Sequence, residues 1–119
     1  MITILHNPRC GKSREALKQL TERGIQPSVR LYLQDPLSRE ELNVLLSLEG
    51  ISSENIVRQK EEPYRLLPLP FTSDNPDFVG VLAENPILLQ RPVVFDTESG
   101  VVAREPGALA IWLNKRGYI

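Results

Sequence analysis

A chain of 119 residues, 41% hydrophobic and 24% charged, has an ordinary globular composition and is long enough to bury one core. Its net charge of −1 gives no argument for a nucleic-acid or membrane surface, and no apolar run reaches the roughly 18 residues of a membrane span. One cysteine excludes an internal disulfide and fits a reducing compartment; with no basic n-region ahead of an apolar stretch at the amino end, a cytoplasmic protein is expected.

Ile2, Ile4 and Leu5 predict a short buried strand closed by His6-Asn7-Pro8. Ala16, Leu17 and Leu20 recur at helical spacing, which predicts a helix from Lys12 to Arg23 with Gly24 as its stop. Val29, Leu31 and Leu33 alternate with Arg30 and Tyr32, the pattern of a strand with one buried face. Ser38-Arg39-Glu40-Glu41 is a capping box with Leu37 and Leu42 placed as a hydrophobic staple, and the helix it opens should run through Leu45 and Leu46 towards Gly50. Short helices are expected from about Ser53 to Leu89, one of them opened by Asn75-Pro76 with Phe78, Val79 and Leu82 facing inward. Pro92 to Phe95 and Val101 to Ala103 flank Asp96-Thr97-Glu98-Ser99-Gly100, a hairpin signal. Pro106 then opens a last helix carrying Leu109, Trp112 and Leu113.

The order is βαβ, helices, then ββα. A right-handed first crossover makes the first two strands parallel neighbours, and the hairpin extends the sheet. The expected fold is α/β (α+β) and thioredoxin-like, a mixed sheet of about four strands. A single domain over residues 1–119 is expected, with a helical insert at about 38–89.

The chemistry concentrates in Ile4-Leu5-His6-Asn7-Pro8-Arg9-Cys10-Gly11-Lys12-Ser13, which holds the only histidine and the only cysteine. Gly11-Lys12-Ser13 imitates the end of a phosphate-binding loop, but the first glycine of G-x-x-x-x-G-K-[ST] would fall at His6, and Pro8 removes an amide. A phosphatase-type loop would need an arginine at Ala16, and a dithiol pair would need a cysteine at Ser13. What remains is a monothiol at a helix start. There the amides of Gly11, Lys12 and Ser13 and the helix dipole favour an anion, and Arg9, Lys12 and Arg14 add positive charge. A lone cysteine is also often an inert, buried small apolar residue, although flanking cations argue against deep burial. His6 either orients the Cys10 loop or is a satisfied strand-end histidine. One cysteine and one histidine are too few for a soft-metal site, so no metal is expected.

The stretch His6-Asn7-Pro8-Arg9-Cys10-Gly11-Lys12-Ser13-Arg14 resembles the active site of the glutaredoxin-coupled arsenate reductase family, whose members have a thioredoxin fold. The resemblance continues through Tyr32-Leu33, Pro36, Val57-Arg58-Gln59-Lys60, Pro63-Tyr64, Asn85-Pro86-Ile87-Leu88, Arg91-Pro92-Val93-Val94, Arg104 and Pro106. It implies that Cys10 is the nucleophile, with His6 and Ser13 beside it. It also implies that Arg58, Arg91 and Arg104 surround the oxyanion with Gly11 and Lys12, and that Pro92 is the cis proline opposite the cysteine. On their own, Arg58 and Arg104 read as solvated surface charges.

The implied activity is reduction of arsenate to arsenite through a Cys10 adduct. With no second cysteine, glutathione and then glutaredoxin would supply the electrons; no bound cofactor is expected, and the expected state is a monomer. Lys12 stands where the best-established arsenate reductases carry a small hydroxyl residue, and Arg9 also departs from their commonest choice. The same family contains regulators that bind RNA polymerase, usually with C-x-x-C, so a non-catalytic or redox-sensing partner-binding protein is the alternative.

Overall fold

In the computed structural model, which describes residues 1–57, 78–105 and 107–118, four strands form one mixed sheet in the order β2-β1-β3-β4. β1 (Thr3–Leu5) runs parallel to β2 (Ser28–Arg30) and antiparallel to β3 (Val93–Phe95), which pairs antiparallel with β4 (Gly100–Val102). The parallel pair and the terminal hairpin are those the element order predicts.

Both faces of the sheet are covered, so the adjacent Ile4 and Leu5 of β1 are both buried. Ile4 and Val94 pack with Ala16 and Leu20 of α1 (Gly11–Glu22) and with Leu109, Trp112 and Leu113 of α5 (Ala108–Lys115). Leu5 and Val93 instead join the opposite core, with Leu42 and Leu45 of α2 (Arg39–Ser47), Ile56 of α3 (Ser53–Ile56) and Leu82 of α4 (Phe78–Glu84). Neighbouring residues on a strand thus serve opposite layers, as the pleat requires.

Local signals act where expected. Ser38 Oγ accepts from the Glu41 amide at 3.1 Å while Glu41 Oε1 accepts from the Ser38 amide at 3.0 Å, and Leu37 and Leu42 are both buried. After α1, Gly24 adopts φ 78°, and the Ile25 amide reaches back to the Leu20 carbonyl at 3.0 Å. In the hairpin turn, Asp96 Oδ1 accepts from the amides of Glu98 and Ser99, both at 2.8 Å.

The second strand departs from the alternation. It stops at Arg30, and the chain turns as the amides of Gln34 and Asp35 bond to the Leu31 carbonyl. Tyr32 is fully buried, whereas Val29 and Leu33 are 46% and 41% exposed. The Arg30 guanidinium holds this turn, donating to the carbonyls of Asp35 (2.8 Å) and Pro36 (2.9 Å) and to Glu41 Oε2 (2.7 Å). β2 is an edge strand, so the neighbouring α2 decides which side chains are covered.

Between β2 and β3 the described residues hold α2, α3, α4 and a 3₁₀ turn at Pro86–Leu88. In α4, Val79 packs against the core and Leu82 is buried. Asn75, Pro76, the Phe78 side chain and Pro106 lie outside the described residues.

Candidate active site

Cys10 is the residue just before α1, with extended backbone (φ −94°, ψ 122°). Two local bonds set this entry. The Asn7 carbonyl accepts from the Cys10 amide at 2.9 Å, and Asn7 Oδ1 accepts from the Arg9 amide at 3.0 Å, the turn that asparagine's short side chain favours. Arg14 Nη1 then donates to the Pro8 carbonyl at 2.9 Å, tying the first helical turn to the loop.

The Cys10 thiol makes no capping bond of ordinary geometry, yet its surroundings favour the thiolate. Burial pushes its pKa up, but the Ser13 amide, the Arg91 guanidinium and the Lys12 amide together outweigh burial, and the net effect is a lowered pKa. Sulfur is half-buried here, so it can still meet a reactant. Cys10 is thus not the deeply buried cysteine of the inert reading.

Ser13 serves a different partner. Its hydroxyl is buried, lies 2.6 Å from His6 Nδ1 and accepts from the Asn7 amide at 3.0 Å. Burial first, and then the charge of Arg14, lowers the His6 pKa, so neutral imidazole is favoured at neutral pH. Neutral imidazole joins Ser13 Oγ through Nδ1, as acceptor or donor according to its tautomer. His6 and Ser13 therefore brace the two ends of the loop that presents Cys10.

Arg91 reaches the thiol from across the fold. The Arg91–Pro92 peptide bond is cis, and Pro92 is buried at the entry to β3. Cys10, Gly11, Lys12, Gln90, Arg91 and Arg104 line one cleft of about 340 Å³. Gly11 and Lys12 are exposed at the helix start, and Arg104 is exposed just beyond β4. Among the described residues this cleft has three cationic side chains and no carboxylate. It sets cationic side chains beside a thiol, an environment that favours anions.

Sequence reasoning missed Gln90, whose Oε1 accepts from Arg104 Nη1 at 3.5 Å. A glutamine in an irregular segment carries no signal of its own; only its neighbour Arg91 could have drawn attention to it. Arg58 lies outside the described residues. Its predecessor Val57 pairs with Leu89, and the Gln90 amide donates to the Ile56 carbonyl at 2.8 Å. No cluster of three His, Cys, Asp or Glu side chains that could hold a metal occurs among the described residues, and none of their helices is long and apolar enough to cross a membrane.

The chain is 44% identical over 96 residues to an arsenate reductase of Escherichia coli, covering 78% of this chain and 67% of that protein. It is 38% identical over 107 residues to the uncharacterized protein YfgD of Escherichia coli K12, covering 88% and 90% of the two chains. Its structure superposes on that of an arsenate reductase from Vibrio cholerae with a TM-score of 0.81, at 33% identity and over 92% and 95% of the two chains. The thioredoxin-like fold is thus shared with solved relatives. With the ArsC family model matching residues 5–110, a span that holds both walls of the Cys10 cleft, the chain belongs to the ArsC family.

Proposed function

We propose that this protein reduces arsenate to arsenite, using Cys10 as nucleophile and glutathione with glutaredoxin as the source of electrons. The observation that carries this reading is the Cys10 thiol, its thiolate favoured by two helix-start amides and Arg91, in a cleft lined by Lys12, Arg91 and Arg104. Arsenate at neutral pH is a tetrahedral anion with about two charges. A thiolate can attack it only where cations screen both reactants, and charge-assisted bonds from arginine contribute ~1.5–3 kcal/mol each.

In the first step Cys10 Sγ bonds to arsenic and one oxygen leaves as water. A glutathione thiol then displaces a second oxygen as water. A glutaredoxin thiol attacks the glutathione sulfur, and the sulfur–arsenic electron pair remains on arsenic, which becomes As(III). Water releases arsenite and regenerates the Cys10 thiol. Two external thiols become one mixed disulfide, matching the two electrons arsenic gains. Both external thiols are required because Cys10 is the only cysteine. Arg58 joins the oxyanion ligands in this proposal through the family resemblance.

The test is arsenite production with glutathione, glutaredoxin and a glutathione-recycling system present. Wild-type protein should turn over and Cys10→Ser should not, while the variant keeps the far-UV dichroism of the parent. No Cys10-dependent arsenite from the complete system would refute the reading and favour the partner-binding alternative.

A further inference from the structure

A second groove, about 270 Å³, runs beside the Cys10 cleft and shares Lys12 and Arg104 with it. We propose that this groove docks the reductant, a short peptide thiol that carries carboxylates and an ammonium group, of the glutathione class. The assignment rests on the thiol-dependent reading above and names where and how that thiol is held.

One wall is α1, whose Lys12, Glu15, Ala16 and Gln19 face the groove. Their spacing of three, four and seven residues puts them on one helix face. Seven residues of helix advance about 10 Å, and an extended tripeptide spans about the same length. Ala103, Arg104, Glu105, Gly107 and Leu109 form the other wall. Buried Ala16 and Leu109 give the groove an apolar floor, and the two alanines let a peptide backbone lie close.

The charges are segregated. Lys12 and Arg104 stand at the junction with the Cys10 cleft, whereas Glu15 and Glu105 line only the outer groove. Among the described residues, Lys12, Glu15 and Glu105 make no ion pair with one another or with other side chains. Two carboxylates repel a free oxyanion, so the groove is not an extension of the arsenate cleft. They match an ammonium group, while the junction cations match a carboxylate next to the thiol-bearing residue. Once an adduct fills the cleft, an incoming sulfur needs a side approach, and this groove adjoins the Cys10 cleft at Lys12 and Arg104.

The test uses thiol–disulfide exchange, which needs no arsenate. Cys10 thiolate attacks one sulfur of oxidised glutathione, forms the Cys10–glutathione disulfide and releases one glutathione thiolate. The rate is followed by intact-protein mass spectrometry and divided by the rate with neutral bis(2-hydroxyethyl) disulfide, giving a selectivity. The doubly substituted Glu15→Gln, Glu105→Gln protein should lose about fivefold to tenfold in that selectivity, the loss of two exposed charge contacts. N-acetylated oxidised glutathione, with its ammonium groups blocked, should react more slowly than the parent in the wild type.

A general attraction of anions to the Cys10 cleft predicts the opposite sign in both experiments, because each change makes the protein less negative or the reactant more so. Equal or raised selectivity in the double variant, or equal or faster reaction of the acetylated disulfide, would overturn the proposal. An arsenite assay on the same samples separates the two readings. Selectivity that falls as stated with no arsenite formed would keep the groove and remove arsenate, and intact arsenite formation with unchanged selectivity would do the reverse.

Discussion

Replacing Ser13 with alanine removes a hydroxyl that is fully buried and ties the first helical turn to the His6–Asn7 loop. His6 Nδ1 at 2.6 Å loses its hydrogen-bond partner, and the Asn7 amide at 3.0 Å loses its acceptor. A buried group left without its partner costs ~1–3 kcal/mol. His6 is only 7% exposed and takes the upper part of that range, while the half-buried Asn7 amide can recruit water and takes the lower part. Together the two come to about 3 kcal/mol. Alanine is the better helix former by roughly 0.5 kcal/mol, which leaves a net loss of about 2.5 kcal/mol. Unfolding entropy of about 2.1 cal/mol/K per residue gives this 119-residue chain about 0.25 kcal/mol/K, so Tm should fall by about 10 °C.

Urea unfolding of wild type, Ser13→Ala, His6→Leu and the double variant measures both the loss and the coupling. Replacing both partners by apolar groups removes the mismatch, so the double variant should lose about 1 kcal/mol or more less than the sum of the single losses. A Ser13→Ala loss below about 0.5 kcal/mol, or additive single losses, would refute the claim that this bond braces the Cys10 loop.

Alkylation of Cys10 by iodoacetamide against pH should show a midpoint below that of a free thiol. Arg91→Ala should move the midpoint up, because the variant loses a guanidinium that favours the thiolate; an unmoved midpoint would remove Arg91 from the thiolate's surroundings. The lowered His6 pKa means the unfolded chain binds the proton first as pH falls. Stability should therefore drop as pH is lowered from about 6.5, the ordinary histidine value, towards the folded-state pKa, and His6→Asn should flatten the slope there. Equal slopes in the two proteins would contradict the burial of neutral His6. Gly50 has φ 89°, and a Cβ there would collide with the Gly100 carbonyl oxygen, whereas Gly24 at φ 78° faces open space. Gly24→Ala should cost ~1–2 kcal/mol of backbone strain alone, and Gly50→Ala clearly more in the same denaturation assay; equal losses would mean the collision is relieved by movement.

The sequence by itself determined what is decided within a few residues along the chain. The Ser38–Glu41 cap, the Gly24 stop, the Asp96 turn and the helical face of Ala16 and Leu20 each depend on partners at most about five residues away, and the structure forms all four. The monothiol reading of Cys10 was legible for the same reason, since its helix-start amides and flanking cations are sequence neighbours.

Tertiary structure decided the rest. Val29, Leu31 and Leu33 alternate correctly for a strand, but alternation cannot say which face a neighbour will cover, and Arg30 bonded to Glu41 of α2 bends the chain so that Tyr32 goes inside. Likewise, no local pattern separates Arg104 from the other arginines, and only the strand-opening Pro92 beside it marks Arg91. They line the Cys10 cleft because pairing β1 with β3, and β3 with β4, carries residues 90, 91 and 104 to the end of α1 where Cys10 stands. An arginine on open surface and one facing a thiol are the same side chain until the fold sets what lies beside it.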